Sequence, residues 1–208
     1  MKILTNEELK IVNLFRENLF REYTIREIMN AVHKNSYSWI FKTVKKLNKL
    51  GMINIKKKGN SNICSINLNN YSTITYLSLI EQINWKLKKL PQKNILELIN
   101  SIPLSYFTFI ITGSYASGKA TKKSDLDIVV LTEDNIDTKK ILTILKNKGE
   151  LMIPEIHPYV FTKSEFMQML LSDEENYGKM VFKNNLIIFG AENYYLIIKE
   201  AIRNGFKG

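Results

Sequence analysis

The stretch TFIITGSYASGKATKKSDLDIVVL, Thr108 to Leu131, constrains this chain more than any other. Phe107, Phe109, Ile110 and Ile111 are aromatic or β-branched and read as a buried strand. The run breaks at Gly113-Ser114, crosses a polar stretch bearing Gly118, Lys119, Lys122 and Lys123, and re-enters a strand carrying Asp125 and Asp127. Residues two apart on a strand share a face, so the two carboxylates project side by side while Leu126 and Ile128 point into the core. Carboxylates held this close repel unless a cation lies between them, and oxygen ligands suit Mg²⁺. Gly113 permits a close backbone approach, and Ser114 adds a hydroxyl beside free backbone N–H groups, a setting for a phosphate. A hairpin whose Asp pair is merely solvated explains neither the Gly-Ser break nor the apolar strands on both sides. Metal, phosphate and strand-mounted carboxylates together read as phosphoryl or nucleotidyl transfer.

The chain of 208 residues suffices for one large domain or two small ones, each with its own core. Apolar residues at 45% and charged residues at 24% are ordinary for a globular protein. No apolar run approaches the ~18 residues a membrane span needs. The start, MKILTNEELKIV, is charged too early for a secretory signal, so the expectation is a cytoplasmic protein without a membrane partner. A single cysteine, Cys64, excludes an internal disulfide framework and a cysteine metal cluster. Net charge is +10, and residues 1–70 hold 13 Lys and Arg against five acids. Most of the positive excess therefore sits in the first third, as in a nucleic-acid-binding module. A solvated Lys-rich surface would give the same composition.

Those first seventy residues read as three helices and a hairpin. Asn6 is the expected cap of a helix with Leu9, Ile11, Val12, Leu14 and Phe15 at helical spacing. Thr24 opens a second helix with Glu27 at the capping-box position. Asn35 or Ser36 caps a third, whose buried stripe is Trp39 or Ile40, Val44, Leu47 and Leu50, and Gly51 ends it. Two alternating strands follow around Gly59-Asn60. This order is similar to a winged helix-turn-helix domain of the MarR-like kind. That resemblance implies double-stranded DNA as a partner, with the third helix in the major groove. Ser36, Tyr37, Ser38, Lys42, Lys45 and Lys46 are then the candidate contacts, and Lys56, Lys57 and Lys58 at the wing tip would meet phosphates. A protein-binding or purely structural winged helix is the alternative. Ile74, Leu77, Ile80, Trp85 and Leu87 continue a helical spacing to Pro91 and read as a linker helix, which could also pair with its copy in a homodimer.

The pattern Gly113-Ser114 to Ser124-Asp125-Leu126-Asp127 resembles the signature of the DNA polymerase beta nucleotidyltransferase superfamily, and its small prokaryotic "minimal" members are similar in length. The resemblance covers roughly residues 92–200. It implies an NTP substrate gripped by Gly113, Ser114, Gly118, Lys119 and Ser124, and two Mg²⁺ ions held by Asp125, Asp127 and a third carboxylate from a neighbouring strand. After a helix at Ile136–Lys148, residues 151–162 read as that strand, with Glu155, His157 and Tyr159 on one face and Ile156 and Val160 on the other. Glu155 is the best-placed acid, as general base or metal ligand, and His157 is the alternative polar group. Pro154 and Pro158 mark an edge strand. Relatives usually carry Asp as the third carboxylate and place Arg where this chain has Ser117. Without that bidentate guanidinium, Lys119, Lys122 or Lys123 stand in as point charges. Ser164-Glu165-Phe166 opens a further helix, and Leu186 to Gly190 is a last strand before a helix at Asn193–Ile202.

The expected fold class is α+β: a winged helix-turn-helix over residues 1–70, a linker helix over 71–91, and a nucleotidyltransferase fold with a small mixed sheet flanked by helices over 92–208. The resemblance implies an enzyme moving a nucleoside monophosphate from an NTP to an acceptor, a protein or a small molecule. Two other readings share the fold. One is a DNA-binding regulator whose degenerate transferase domain only binds nucleotide. The other is an antitoxin-type transferase that modifies a partner toxin.

Overall fold

The sequence Thr-x-x-Glu occurs at Thr5, Thr24 and Thr162, and each time it starts a helix by reciprocal capping. In α1 (Asn6–Glu17) the Thr5 hydroxyl accepts the Glu8 N–H at 3.3 Å, and the Glu8 carboxylate accepts the Thr5 N–H at 2.9 Å. Thr5 is therefore the cap and Asn6 the first helical residue, so the helix starts one position earlier than the sequence suggested. The computed structural model describes residues 3–208 and divides into two units, the described residues up to Ile80 with Lys207 and Gly208, and Glu81–Phe206.

In the first unit, β1 (Tyr23–Thr24) leads into α2 (Ile25–Ala31), capped by Thr24 and Glu27. Helix α3 (Tyr37–Lys49) takes Ser36 rather than Asn35 as its cap, and Gly51 at φ +72° ends it in the left-handed region. Of the two residues open for its stripe, Ile40 is fully buried, with Val44 and Leu47; Trp39 is half-buried and Leu50 exposed. β2 (Ile53–Lys58) and β3 (Ser61–Ile66) pair antiparallel around the Gly59-Asn60 turn, and β1 adds on the other side of β3. Cys64 lies on this central strand between Tyr23 and Ile55, and burial pushes its thiol up to about 11. Glu8 is buried and forms an ion pair with Lys46 of α3. The division between the units falls within α4 (Tyr71–Lys86), which stops short of the expected Leu90.

The second unit holds α5 (Gln92–Ser101), β4 (Thr108–Ile111), α6 (Gly113–Ser117), β5 (Leu126–Thr132), α7 (Thr138–Gly149) and β6 (Ile156–Thr162). It continues with α8 (Lys163–Leu171), α9 (Tyr177–Lys183), β7 (Leu186–Phe189) and α10 (Ala191–Arg203). Its four strands form a mixed sheet in the order β6-β5-β4-β7, with β5 and β6 parallel and the other pairs antiparallel. Leu126, Ile128 and Val130 of β5 join Ile95 and Leu98 of α5 and Ile141 and Leu145 of α7 in one core. On the opposite face β5 packs against α8, and β4 against α10. Sandwiched between helix layers, β5 is apolar on both sides beyond Asp127, which is why it reads as a continuous hydrophobic run. Strand β6 is an edge strand, so the missing N–H of Pro158 is tolerated. It begins at Ile156; residues 151–155 form a turn rather than the expected strand. The sequence reading passed over α5 and the seven-residue α9. No helix among the described residues is long and apolar enough to cross a membrane.

Candidate active site

The parallel register of β5 and β6 sets Asp127 opposite His157. One step earlier, the Leu126 N–H donates to the Glu155 carbonyl at 2.8 Å, bringing Asp125 and Glu155 to the same end of the strand pair. His157 stands among the acids. Its Nδ1 lies 3.9 Å from Asp125 Oδ2 and 3.8 Å from Asp127 Oδ1, and its Nε2 lies 3.5 Å from Glu155 Oε1. The Glu155 side chain is 75% exposed, whereas that of Asp127 is 33% exposed. Burial raises the Asp127 carboxyl above the usual carboxylate range; neighbouring His157 pulls it down and Asp125 pushes it up. A desolvated acid beside a second acid favours a cation, and oxygen donors of this kind fit a divalent metal. Asp125, Glu155 and His157 each offer a ligand atom, and these atoms lie within 4.8 Å of one another.

The turn from β4 closes over this group. Gly113 has φ +66°, and a Cβ there would fall 2.1 Å from Asp127 Oδ2, so only glycine lets the backbone lie against that carboxylate. The Thr112 N–H donates to the Asp127 carbonyl at 3.0 Å. Asn184 braces the turn from behind: its carbonyl accepts the Thr112 hydroxyl at 2.7 Å, and its amide donates to the Gly113 carbonyl at 2.8 Å. Ser114 is the second residue of α6, and its carbonyl accepts the Lys119 N–H at 2.9 Å. Gly118, at φ +72°, ends α6. The Ser124 hydroxyl accepts the Thr121 N–H at 2.9 Å and so tightens the turn before Asp125. Ser117 donates its hydroxyl to the Ser114 carbonyl at 3.1 Å and contributes no cation.

Three groups that sequence reasoning missed lie here. Asn184 is one. Lys88 is the second, with its Nζ 3.8 Å from where a Gly118 Cβ would sit, so a lysine upstream of α5 reaches the Gly118 turn. The third is Tyr177, whose ring packs on Tyr159 at 4.6 Å between centroids and near Phe161 at 6.1 Å. Burial holds its phenol well above the ordinary value, with Tyr159 and Asp127 adding to the shift. Tyr159 and Tyr177 thus form an aromatic wall near the acids. The alternation of β6 pointed to Tyr159; no local pattern marks Lys88, Asn184 or Tyr177 as belonging to the site.

The basic candidates belong to the first unit. Lys56, Lys57 and Lys58 are exposed at the end of β2, and Ser36, Tyr37, Ser38, Lys42 and Lys45 are exposed on α3. The Ser36 hydroxyl accepts the Trp39 N–H at 3.3 Å, and Lys45 lies 5.5 Å from the Phe41 ring centroid. Lys46 differs: it is half-buried and ion-paired to Glu8, which takes it away from the open face.

Residues 93–181 match the family model described as Nucleotidyltransferase domain. The match spans the Gly-Ser turn, the Asp pair and His157, so the chain carries a transferase domain of the nucleotidyl-transferring type. Among solved structures, the chain is similar to one titled "Crystal structure of the toxin-antitoxin with AMP-PNP", at 20% identity and a TM-score of 0.36 over 55% of this chain and 86% of that one. Comparison with curated proteins finds no match.

Proposed function

We propose that the chain transfers a nucleoside monophosphate from an NTP to an acceptor hydroxyl, with Mg²⁺ as the triphosphate's counter-ion, and that its first unit is a winged helix binding duplex DNA. The observation that carries the transfer is Gly113, pressed against a partly desolvated Asp127 that sits beside Asp125. A bound Mg²⁺ would supply charge neutralisation along the phosphates. Asp125 and Asp127 would hold it, while the Gly113-Ser114 turn and Lys88 take the phosphate oxygens. The acceptor oxygen bonds to the α-phosphorus, the bond from that phosphorus to the bridging oxygen breaks, and pyrophosphate leaves with the electron pair. The acceptor proton passes to Glu155, exposed at the mouth, or, where Glu155 holds a cation, to solvent there. The exposed lysines at the end of β2 support the DNA reading of the first unit.

Incubation with each α-³²P-labelled NTP, Mg²⁺ and cell extract tests the transfer. A labelled product is expected with the parent chain and none with Asp125→Ala or Asp127→Ala. Tight Mg-NTP binding by the parent with no product from any extract would instead identify a nucleotide sensor. Unchanged Mg-NTP affinity in both Asp variants would remove the metal-site assignment.

A further inference from the structure

The imidazole of His157 occupies the register position facing Asp127 on the adjacent strand, where an acid would give the site a third carboxylate. An imidazole nitrogen differs from a carboxylate oxygen in charge and in softness. Mg²⁺ takes oxygen donors and retains water, while imidazole favours transition-metal ions. We propose that Asp125, Glu155 and His157 form a second cation site, distinct in preference from the Asp125–Asp127 pair, that selects a divalent transition metal over Mg²⁺. The inference rests on the transferase reading for the role of the first ion, but not for its own ligands.

Geometry supports it. One ligand atom from each of the three residues lies within 4.8 Å of the others, close to the roughly 3–4.5 Å spacing of donors around one ion bonded at about 2.0–2.2 Å. The two ring nitrogens face different acids: Nδ1 lies toward the two aspartates and Nε2 toward Glu155. A metal bound through Nε2, the nitrogen beside Glu155, therefore leaves Nδ1 3.8 Å from Asp127, a carboxylate outside the proposed ligand set that can orient the ring, the usual support of a metal-bound histidine. Glu155 is exposed enough to turn onto an ion. Asp125 belongs to both ligand sets. The rival is a proton: an imidazolium among three carboxylates would fill the same space as a fixed counter-charge and exclude a metal. The two arrangements predict opposite effects of removing the ring.

The test uses the full chain without nucleotide. Co²⁺ is titrated by its d–d absorption, alone and against excess Mg²⁺, and bound Mn²⁺ is examined for ¹⁴N coupling by electron spin-echo spectroscopy. The chain has two histidines, so an imidazole coupling has few sources, and His33→Gln controls for the other. The expected result is Co²⁺ bound at least roughly tenfold more tightly than Mg²⁺, with a ¹⁴N signal in parent and His33→Gln. His157→Asp should lose the signal and bring the Co²⁺ and Mg²⁺ affinities together, while His157→Gln should weaken Co²⁺. A ¹⁴N signal that survives in His157→Asp overturns the site. So does tighter binding of any divalent ion by His157→Gln, which would identify the imidazolium counter-charge. The parent spectrum needs no variant to fold, and equal parent affinity for Co²⁺ and Mg²⁺ without ¹⁴N coupling also refutes the proposal. Labelled transfer with Mg²⁺ alone would persist in that case, so the two readings fail separately.

Discussion

Glu8 shows how one side chain can fix both a helix start and a helix pair. Its carboxylate receives the Thr5 N–H and the Lys46 ammonium while lying 7% exposed. Burial alone would raise its pKa, but Lys46 and the Thr5 amide outweigh burial and leave it lowered. A carboxyl lowered in the folded state contributes stability above its unfolded value of about 4.3, and that contribution is lost as pH falls through the folded value. Glu8→Gln should therefore cost the first unit about 1–2 kcal/mol at neutral pH, with the difference from the parent shrinking in acid. Urea unfolding at several pH values checks this; a gap that stays constant down to strong acid would contradict it. At this scale the acids of the site were readable from sequence because alternation on one strand is a local property. The Glu8–Lys46 pair was not, because it joins residues 38 apart in the chain, and Lys46 therefore read as one more open lysine.

Elements were recovered most readily where a capping box, a glycine stop or alternation marks them. Thr24-x-x-Glu27, Gly51 and Gly59-Asn60 each carry their own boundary signal, and α2, the end of α3 and the β2–β3 turn follow them. Helix α5 follows Pro91 with no side-chain cap, and α9, although capped by Asn176, spans only seven residues, too few to show a long periodic face. The turn at 151–155 looked like strand because Leu151 and Ile153 are apolar, yet both are almost fully exposed. The facing of His157 onto Asp127 depends on the parallel register of β5 and β6, which no window of sequence encodes. Between β7 and α10, Gly190 has φ +69°, and a Cβ there would fall 2.1 Å from the Phe107 carbonyl oxygen. Gly190→Ala should thus combine left-handed strain with a backbone clash and cost the second unit about 2–3 kcal/mol. A melting temperature equal to the parent's would show that the β7–α10 corner can relax.

The whole chain divides its chemistry as it divides its charge. Acids and turns that suit a triphosphate lie in Glu81–Phe206, and the strongly basic stretch lies in residues 1–70. If the first unit meets phosphates, log affinity for duplex DNA should fall steeply with log salt. Replacing Lys56, Lys57 and Lys58 by Gln should weaken binding for all sequences and flatten that slope by up to about three counter-ions. Fluorescence anisotropy across a salt series measures it, and absence of DNA binding at low salt would return the first unit to a structural role. The same division gives the lone thiol a use. Cys64 is buried on the central strand of the first unit's sheet, with its pKa at about 11, so it reacts only when that sheet opens. Thiol-labelling kinetics on the unaltered protein would then time the opening of one unit while the other goes unseen, a built-in clock for whether DNA or nucleotide tightens the half of the molecule that carries it.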